Sequence, residues 1–379
     1  MSRIACIEDL RRAARRRLPS AIFDFVDGGA SDEASLRANR EDFERLCLAP
    51  KALTDVSKRD LATTLLGEPI SMPLVIAPTG LAGLLSRKGE VAEARAAEAA
   101  GIPYCLSQMA ASSVEEVDRA TRKPFWFQSY LLKDRAINAA LMDRAVKAGC
   151  NVLVLTVDTK VQGMRERDIR NGFTVPPRVT WRNALDFARR VRWLADVALG
   201  PRVTFANLAG SVLGRGDIVS IARFAAEQYD VTLDWSDLEW VRARWKGRLA
   251  IKGIITVEDA RKATHYGADA IIVSNHGGRQ LDGASSPIAV LPDIAEAVGD
   301  RVELILDGGV RRGSDIVKAL ALGAKACMAG RPFLYGLAAG GERGVRQAIE
   351  LLRSELDNTL ALLGRPVARG LDRTCLRWA

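Results

Sequence analysis

The run Ser274-Asn275-His276-Gly277-Gly278-Arg279-Gln280-Leu281-Asp282-Gly283 joins a base to a cation across two glycines. It directly follows Ala270-Ile271-Ile272-Val273, an apolar stretch that reads as a buried β-strand. A histidine and an arginine at the carboxyl end of one strand can take a proton and hold an anion within a small space. The glycines let the backbone approach a flat or charged ligand. The chain has only two histidines, so candidates for a neutral-pH base are few. His265, inside a helical pattern, reads as structural.

Such residues need rigid elements behind them. Short β-rich runs recur at 74–78, 102–107, 125–130, 152–158, 249–252, 270–275, 302–307 and 326–330. Helical patterns lie between them at 89–100, 113–120, 134–148, 236–245, 256–266, 287–298 and 314–322. Ser113-Val114-Glu115-Glu116 has the form of a capping box. Gly101, Gly149, Gly267 and Gly323 follow helices as C-terminal stops. About eight strand–helix units in series predict an α/β protein of the closed (β/α)8 TIM-barrel type. An open doubly wound sheet competes, but there is no GxGxxG after the first strand and no Walker A loop.

Polar residues gather at the carboxyl ends of these strands, where barrel enzymes build their sites. They are Pro78-Thr79-Gly80, Ser107, Gln128 with Tyr130, Thr156 with Asp158, Lys252, Ser274 to Arg279, Asp307-Gly308-Gly309 and Gly330-Arg331. The last two loops, continuing through Arg311, Arg312 and Pro332, suit a phosphate held by backbone N–H groups and a nearby cation. Tight turns with surface arginines are the plainer reading of the same residues.

The 379 residues, 48% hydrophobic and 27% charged, suffice for one large core, here taken as a single domain over 1–379. The net charge of +9 fits anionic ligands or an anionic membrane surface. No recognition motif accompanies the charge, so nucleic acid is not an expected partner. None of the six cysteines forms a CxxC pair, which points away from zinc and disulfides and toward a reducing compartment. The charged, helix-like segment 1–19 has no apolar leader core, and no run approaches the length of a spanning helix.

Taken together, 274–282, 306–313 and Leu155-Thr156-Val157-Asp158 resemble the FMN-dependent L-2-hydroxy acid dehydrogenase/oxidase family, over about residues 4–364. Pro78-Thr79-Gly80-Leu81, Arg165-Glu166-Arg167-Asp168 and the stretch 191–201 are most similar to its bacterial membrane-associated lactate and mandelate dehydrogenases. The resemblance implies FMN as cofactor and His276 as base, with Asp158 orienting its imidazole. It implies Arg165 and Arg279 as a clamp on the substrate carboxylate and Tyr130 as a hydrogen-bond partner near the reacting carbon. Whether hydride leaves directly or a carbanion forms stays open. Lys252 would lie at the flavin N1/C2 carbonyl edge. Ser107, Gln128, Thr156 and Ser274 would contact the ring system, as would the backbone of Pro78, Thr79 and Gly80. Asp307, Gly309, Arg311, Gly330 and Arg331 would hold the ribityl phosphate end. Relatives are commonly tetrameric.

Two departures bear on the substrate. Phe25 stands where the family usually has a tyrosine whose hydroxyl contacts the carboxylate; the loss of one hydrogen bond to a charged group is worth about 1.5–3 kcal/mol. Met109 replaces the aromatic side chain some relatives carry, and with Gly80 it suggests room for a substituent larger than methyl. The tail after Gly364 departs from the family pattern.

A long connection, about 170–234, follows the fourth strand. It mixes Arg178, Arg182, Arg189, Arg190, Arg192 and Arg202 with Trp181, Phe187, Trp193, Leu194, Val197, Leu199 and Phe205. That composition reads as an interfacial membrane anchor; a lid or a subunit contact is the other reading. The resemblance implies a seat on the inner face of the cell membrane, in the cytoplasm, with quinone as electron acceptor. An oxygen-using oxidase, a flavin protein without turnover, and a barrel lyase with a Schiff base on Lys252 are the competing functions.

Overall fold

The computed structural model describes residues 4–173, 183–200, 203–209 and 227–378. Eight parallel strands form one sheet: β1 (Leu74–Ile76), β2 (Cys105–Ser107), β3 (Trp126–Ser129), β4 (Val152–Thr156), β5 (Arg248–Ile254), β6 (Ala270–Ser274), β7 (Glu303–Asp307) and β8 (Ala326–Ala329). Each strand pairs with its sequence neighbours, and β8 pairs with β1. A parallel bridge between Ile76 and Tyr104 closes the ring, with the Ile76 N–H donating to the Pro103 carbonyl at 3.0 Å. The chain is a (β/α)8 TIM barrel.

Two periods in the sequence produce this closure. Along each strand, alternate residues face opposite sides. Val75, Cys105, Val154, Ala250, Ile272, Ile305 and Met328 pack inside the barrel, while Leu74, Leu106, Leu155, Ile251, Ile271, Leu306 and Cys327 pack against the helices. A hairpin, Thr63–Leu65 with Glu68–Ile70, adds Leu65, Leu66 and Ile70 to the inner core. The outer helices begin at the expected caps. Ser113 Oγ accepts the Glu116 N–H at 3.2 Å and Glu116 returns the bond to the Ser113 N–H at 2.8 Å.

Three helices, Ile7–Arg17, Ser20–Asp27 and Ala34–Glu44, precede the barrel as the predicted helical extension. Asp27 ties them to the rest. Its buried carboxylate accepts from Arg11 at 2.6 and 2.9 Å, from Arg167 at 3.3 Å and from the Tyr335 hydroxyl at 2.7 Å. The tail is part of the fold: Leu376–Trp378 pairs antiparallel with Leu46–Leu48.

The connection after β4 differs from expectation. Its described helices are Glu166–Arg170, Ala184–Arg189 and Val191–Ala198. Phe187, Trp193 and Phe205, counted above with the membrane-facing residues, are buried, and Trp193 Nε1 donates to the Leu84 carbonyl at 2.8 Å. Apolar composition alone does not say which side of a helix faces the barrel. Among the described residues of this stretch, Leu185, Val191, Leu194, Leu199 and Val231 are exposed large apolar side chains. Arg178, Trp181, Arg182 and Arg202 lie outside the described residues.

Candidate active site

Strand register brings the polar ends together. Ser107 lies opposite Gln128, Thr156 opposite Lys252, and Ser274 opposite Asp307. A cavity of about 590 Å³ opens above them at the carboxyl ends, within the size range of small-molecule sites. It is lined by Phe25, Pro78, Thr79, Gly80, Ser107, Met109, Tyr130, Arg165, Lys252, His276, Arg279, Asp307, Gly309, Arg311, Gly330 and Arg331, all anticipated from sequence. Gln128, Thr156 and Ser274 are buried beneath it, and Asp158 stands behind His276.

His276 and Asp158 meet across 118 positions. The imidazole Nδ1 lies 2.9 Å from Asp158 Oδ1. A carboxylate only accepts, so Nδ1 carries the proton and Nε2 is left as the basic nitrogen. Burial pulls the His276 pKa below its ordinary 6.5, against the pull of Asp158. Burial alone would raise the Asp158 carboxyl; the imidazole and Lys252 hold it below its ordinary value instead. Gly253 makes this possible: its φ is +105°, and a Cβ there would sit 2.6 Å from the Asp158 Cβ. His276 itself has φ +59°, a conformation that costs a residue with a side chain about 1–3 kcal/mol unless its surroundings hold it.

Lys252 is buried at the cavity floor, near the end of β5. Its Nζ donates to Ser274 Oγ at 3.0 Å and pairs with Asp307 Oδ2 at 2.9 Å. Burial would lower its pKa, but Asp307 and Asp158 raise it. The amine is therefore held as an ammonium, the opposite of what a Schiff-base nucleophile requires.

Among the described residues, Arg165, Arg279 and Arg311 form no salt bridge, although Asp168 lies near the first two. Arg279 donates to the Phe25 and Gly28 carbonyls at 2.7 and 2.9 Å and lies 5.3 Å from the centre of the Phe25 ring. Burial, with Arg165 and Arg331 nearby, drives its pKa well below the ordinary range. Arg311 is half-buried over Tyr335 and donates to the Val310 carbonyl, and desolvation lowers its pKa likewise. Arg165 keeps a buried Nε without a partner. A buried guanidinium without a carboxylate calls for an anionic ligand. Arg331 lines the cavity and is already engaged in the protein. Its guanidinium donates to three carbonyls, those of Val26, Gly28 and Gly277, at 2.8–3.0 Å, so most of its donors are spent inside the protein.

Buried polar atoms without partners are uncommon. Here Thr79 Oγ1, Gln128 Nε2 and Thr156 Oγ1 are all in that state at the strand ends. Gly309, φ +81°, lines the cavity and packs so closely on Asn39 that a Cβ would lie 1.9 Å from its carbonyl oxygen. Orphaned donors and acceptors, a charged lysine and unpaired arginines suit a polar, planar, phosphate-bearing group.

The profile of the FMN-dependent dehydrogenases matches residues 14–378. The chain belongs to that family. The match reaches residue 378, so the tail beyond Gly364 lies within the family pattern and not outside it. The chain is 44% identical to an L-lactate dehydrogenase of a Caulobacter species over 98% of both chains, and 41% identical to that of Acinetobacter baylyi over 98% and 97%. A solved structure described as the monotopic membrane protein (S)-mandelate dehydrogenase superposes with a TM-score of 0.95, at 41% identity and over all of both chains. The protein is thus an FMN-dependent dehydrogenase, and the donor set of its cavity fits that cofactor.

Several residues in or behind the cavity wall had escaped sequence reasoning. Gln108 Oε1 accepts from the Tyr130 N–H and the Ser129 hydroxyl, both at 2.8 Å, and so fixes the tyrosine's backbone. Tyr229 meets Tyr130 edge to face at 5.7 Å, and Phe173 stacks on Phe25 at 4.7 Å. Asp168 lines the wall near Arg279 and Arg165, its pKa raised by burial. Only Asp168 had a sequence signal, as part of the Arg165–Asp168 motif. Arg40 donates to the Gly309 carbonyl and to Asp315, bracing the seventh loop from a helix far away in the chain.

Proposed function

We propose that this enzyme oxidises an L-2-hydroxy acid, lactate- or mandelate-like, to the 2-keto acid. One observation carries the reading: an imidazole with Nδ1–H committed to Asp158 turns its basic nitrogen to a cavity whose arginines lack carboxylate partners. Arg165 and Arg279 bind the substrate carboxylate by charge-assisted hydrogen bonds. Tyr130 orients the substrate beside the reacting carbon. His276 takes a proton at Nε2, and Asp158 stabilises the imidazolium that results. FMN, when bound, accepts the two electrons that leave the carbinol carbon. Lys252, Gln128, Thr156, Ser107 and the Pro78–Gly80 backbone would hold its ring system. Asp307, Gly309, Arg311 and the loop at Gly330-Arg331 would hold its phosphate end. Phe25, Gly80 and Met109 line the space left for the substituent. Anaerobic mixing of the holoprotein with lactate, mandelate and longer 2-hydroxy acids tests the reading through flavin absorbance. Bleaching by at least one is expected; a fully loaded protein that none reduces overturns it.

We infer further that the enzyme sits on the anionic inner face of the cell membrane and passes its electrons to quinone. Exposed Leu185, Val191 and Leu199 beside exposed Arg189 and Arg192 support this. So does the membrane description of the mandelate dehydrogenase it superposes on. No helix among the described residues is long and apolar enough to cross a bilayer, which suits surface attachment. Reoxidation by a quinone analogue faster than by oxygen is the expected result; the reverse favours an oxidase. A homotetramer is proposed from the resemblance alone, and sedimentation velocity measures it.

A further inference from the structure

A hydroxyl group has one proton to give and two lone pairs to receive with. Ser274 uses all three. Its Oγ accepts from Lys252 Nζ at 3.0 Å and from the backbone N–H of His276 at 3.0 Å, and it donates to Asp307 Oδ2 at 2.7 Å. The side chain is 1% exposed. The donor directions are forced, because an ammonium and a backbone N–H can only donate and an ionised carboxylate can only accept. Within the protein, Lys252, His276 and Asp307 account for all three of the hydroxyl's bonds. The hydroxyl thereby joins the amide of the base to the cation at the end of the neighbouring strand.

We propose that Ser274 is a positioning residue, whose hydroxyl both locks His276 in its left-handed backbone conformation and aims the Lys252 ammonium at the cavity. The inference rests on the reading of His276 as the base. His276 has φ +59°, and the Ser274 hydroxyl is the acceptor for its amide. Remove that acceptor and the residue is free to relax to negative φ, carrying the imidazole off Asp158. The ammonium of Lys252 loses one of its two protein acceptors in the same event and is drawn to Asp307 alone. Base and cation, contributed by different strands, are thus set by a single oxygen. The groups that face the imidazole are Asp158 after β4, Lys252 on β5 and Arg165 in the loop after β4.

The chain's two histidines make the test direct. His265 is exposed on its helix and His276 is half-buried against Asp158, so their imidazole NMR signals are separable in the holoprotein. Ser274→Ala is expected to retain FMN and to lose roughly 10- to 100-fold in kcat/KM, the scale of an orphaned buried donor. Two readouts need no substrate. The His276 titration should move up toward the ordinary imidazole value as the ring leaves its buried seat. The flavin midpoint potential should become more negative as the ammonium turns away. Ser274→Cys, which fills the space with a poor acceptor, should behave like the alanine variant, and Ser274→Thr, which keeps the hydroxyl, should recover both readouts. An unchanged titration and potential in the alanine and cysteine variants overturns the proposal. Equal loss in the threonine variant also overturns it, because packing alone would then explain the site. A wild-type protein that no 2-hydroxy acid reduces overturns the functional reading instead, and leaves the titration and potential comparison standing.

Discussion

A base is useful only while it lacks its proton, so acidity reaches this site through His276. Burial holds its pKa below 6.5. kcat/KM should therefore rise with pH through that lowered pKa and level off above it. Asp158 is the neighbour that raises the imidazole's pKa. Asp158→Asn should thus move the acid limb to still lower pH. It should also slow flavin reduction about 10²–10⁴-fold, because Nδ1–H loses the acceptor that fixes the tautomer. Stopped-flow reduction across pH reads both; an acid limb moving upward would contradict the pair as drawn. Phe25 supports a second expectation. Its ring is already seated on Phe173 and beneath Arg279, so Phe25→Tyr adds a hydroxyl without moving the ring. KM for small hydroxy acids should fall roughly tenfold or more, the worth of one bond to a carboxylate. An unchanged KM would mean that the arginines already saturate the carboxylate. At this scale most of the candidate site was legible, because strand ends announce themselves as a change from apolar to polar residues. Gln108 and Tyr229 were not, since what they touch lies far from them in sequence.

Among the elements, the helix Gly89–Ala100 holds an unused carboxyl. Glu93 is 1% exposed, neither of its oxygens has a partner, and Glu90 is a buried neighbour on the same helix. Burial, reinforced by Glu90, raises its pKa well above the ordinary 4.5. Above pH 4.5 the unfolded chain gives up this proton and the folded chain keeps it. The folded state then binds more protons, and stability falls as pH rises toward the raised pKa. Glu93→Gln should leave the melting temperature unchanged in acid and raise it at neutral and alkaline pH. The gain is about 1 °C for each kcal/mol regained in a chain of 379 residues. Melting curves at two pH values check this, and a gain independent of pH would sink the explanation. The same helix shows what period and caps can predict. Its start, its Gly101 stop and its neighbours were readable from spacing. In the connection after β4 the composition was readable but the direction was not. Phe187 and Trp193 resemble membrane-seeking residues until Trp193 is found bonded to Leu84.

For the whole molecule, closure of the barrel decides what the polar strand ends can do. Eight strands in sequential order turn every carboxyl end to one mouth, and the N-terminal helices cover its side through Asp27, Arg11, Arg167 and Tyr335. Leu185, Val191 and Leu199 lie exposed on the segment that follows β4. If they enter a lipid interface, the double substitution Val191→Glu and Leu199→Glu should release the protein from anionic vesicles while substrate still reduces the flavin at the wild-type rate. Vesicle sedimentation with a parallel reduction assay measures both; undiminished binding would favour the lid reading. Deleting the segment is a poorer test, because Trp193 and Phe187 are part of the core.

By itself the sequence determined the barrel, the cofactor family and the identity of the polar residues at its mouth. Alternation of period two, helical spacing and glycine punctuation are local properties, and they survive without coordinates. Only the tertiary structure decided how hydrogen bonds are shared among those residues. Ser274 bonds three protein groups, Arg331 bonds three carbonyls, and Lys252 is held charged because β5, β6 and β7 lie side by side, with the β5–β6 register shifting just after Lys252. A donor's partner is set by distance in space, and Asp158 and His276 are 118 positions apart until the ring closes.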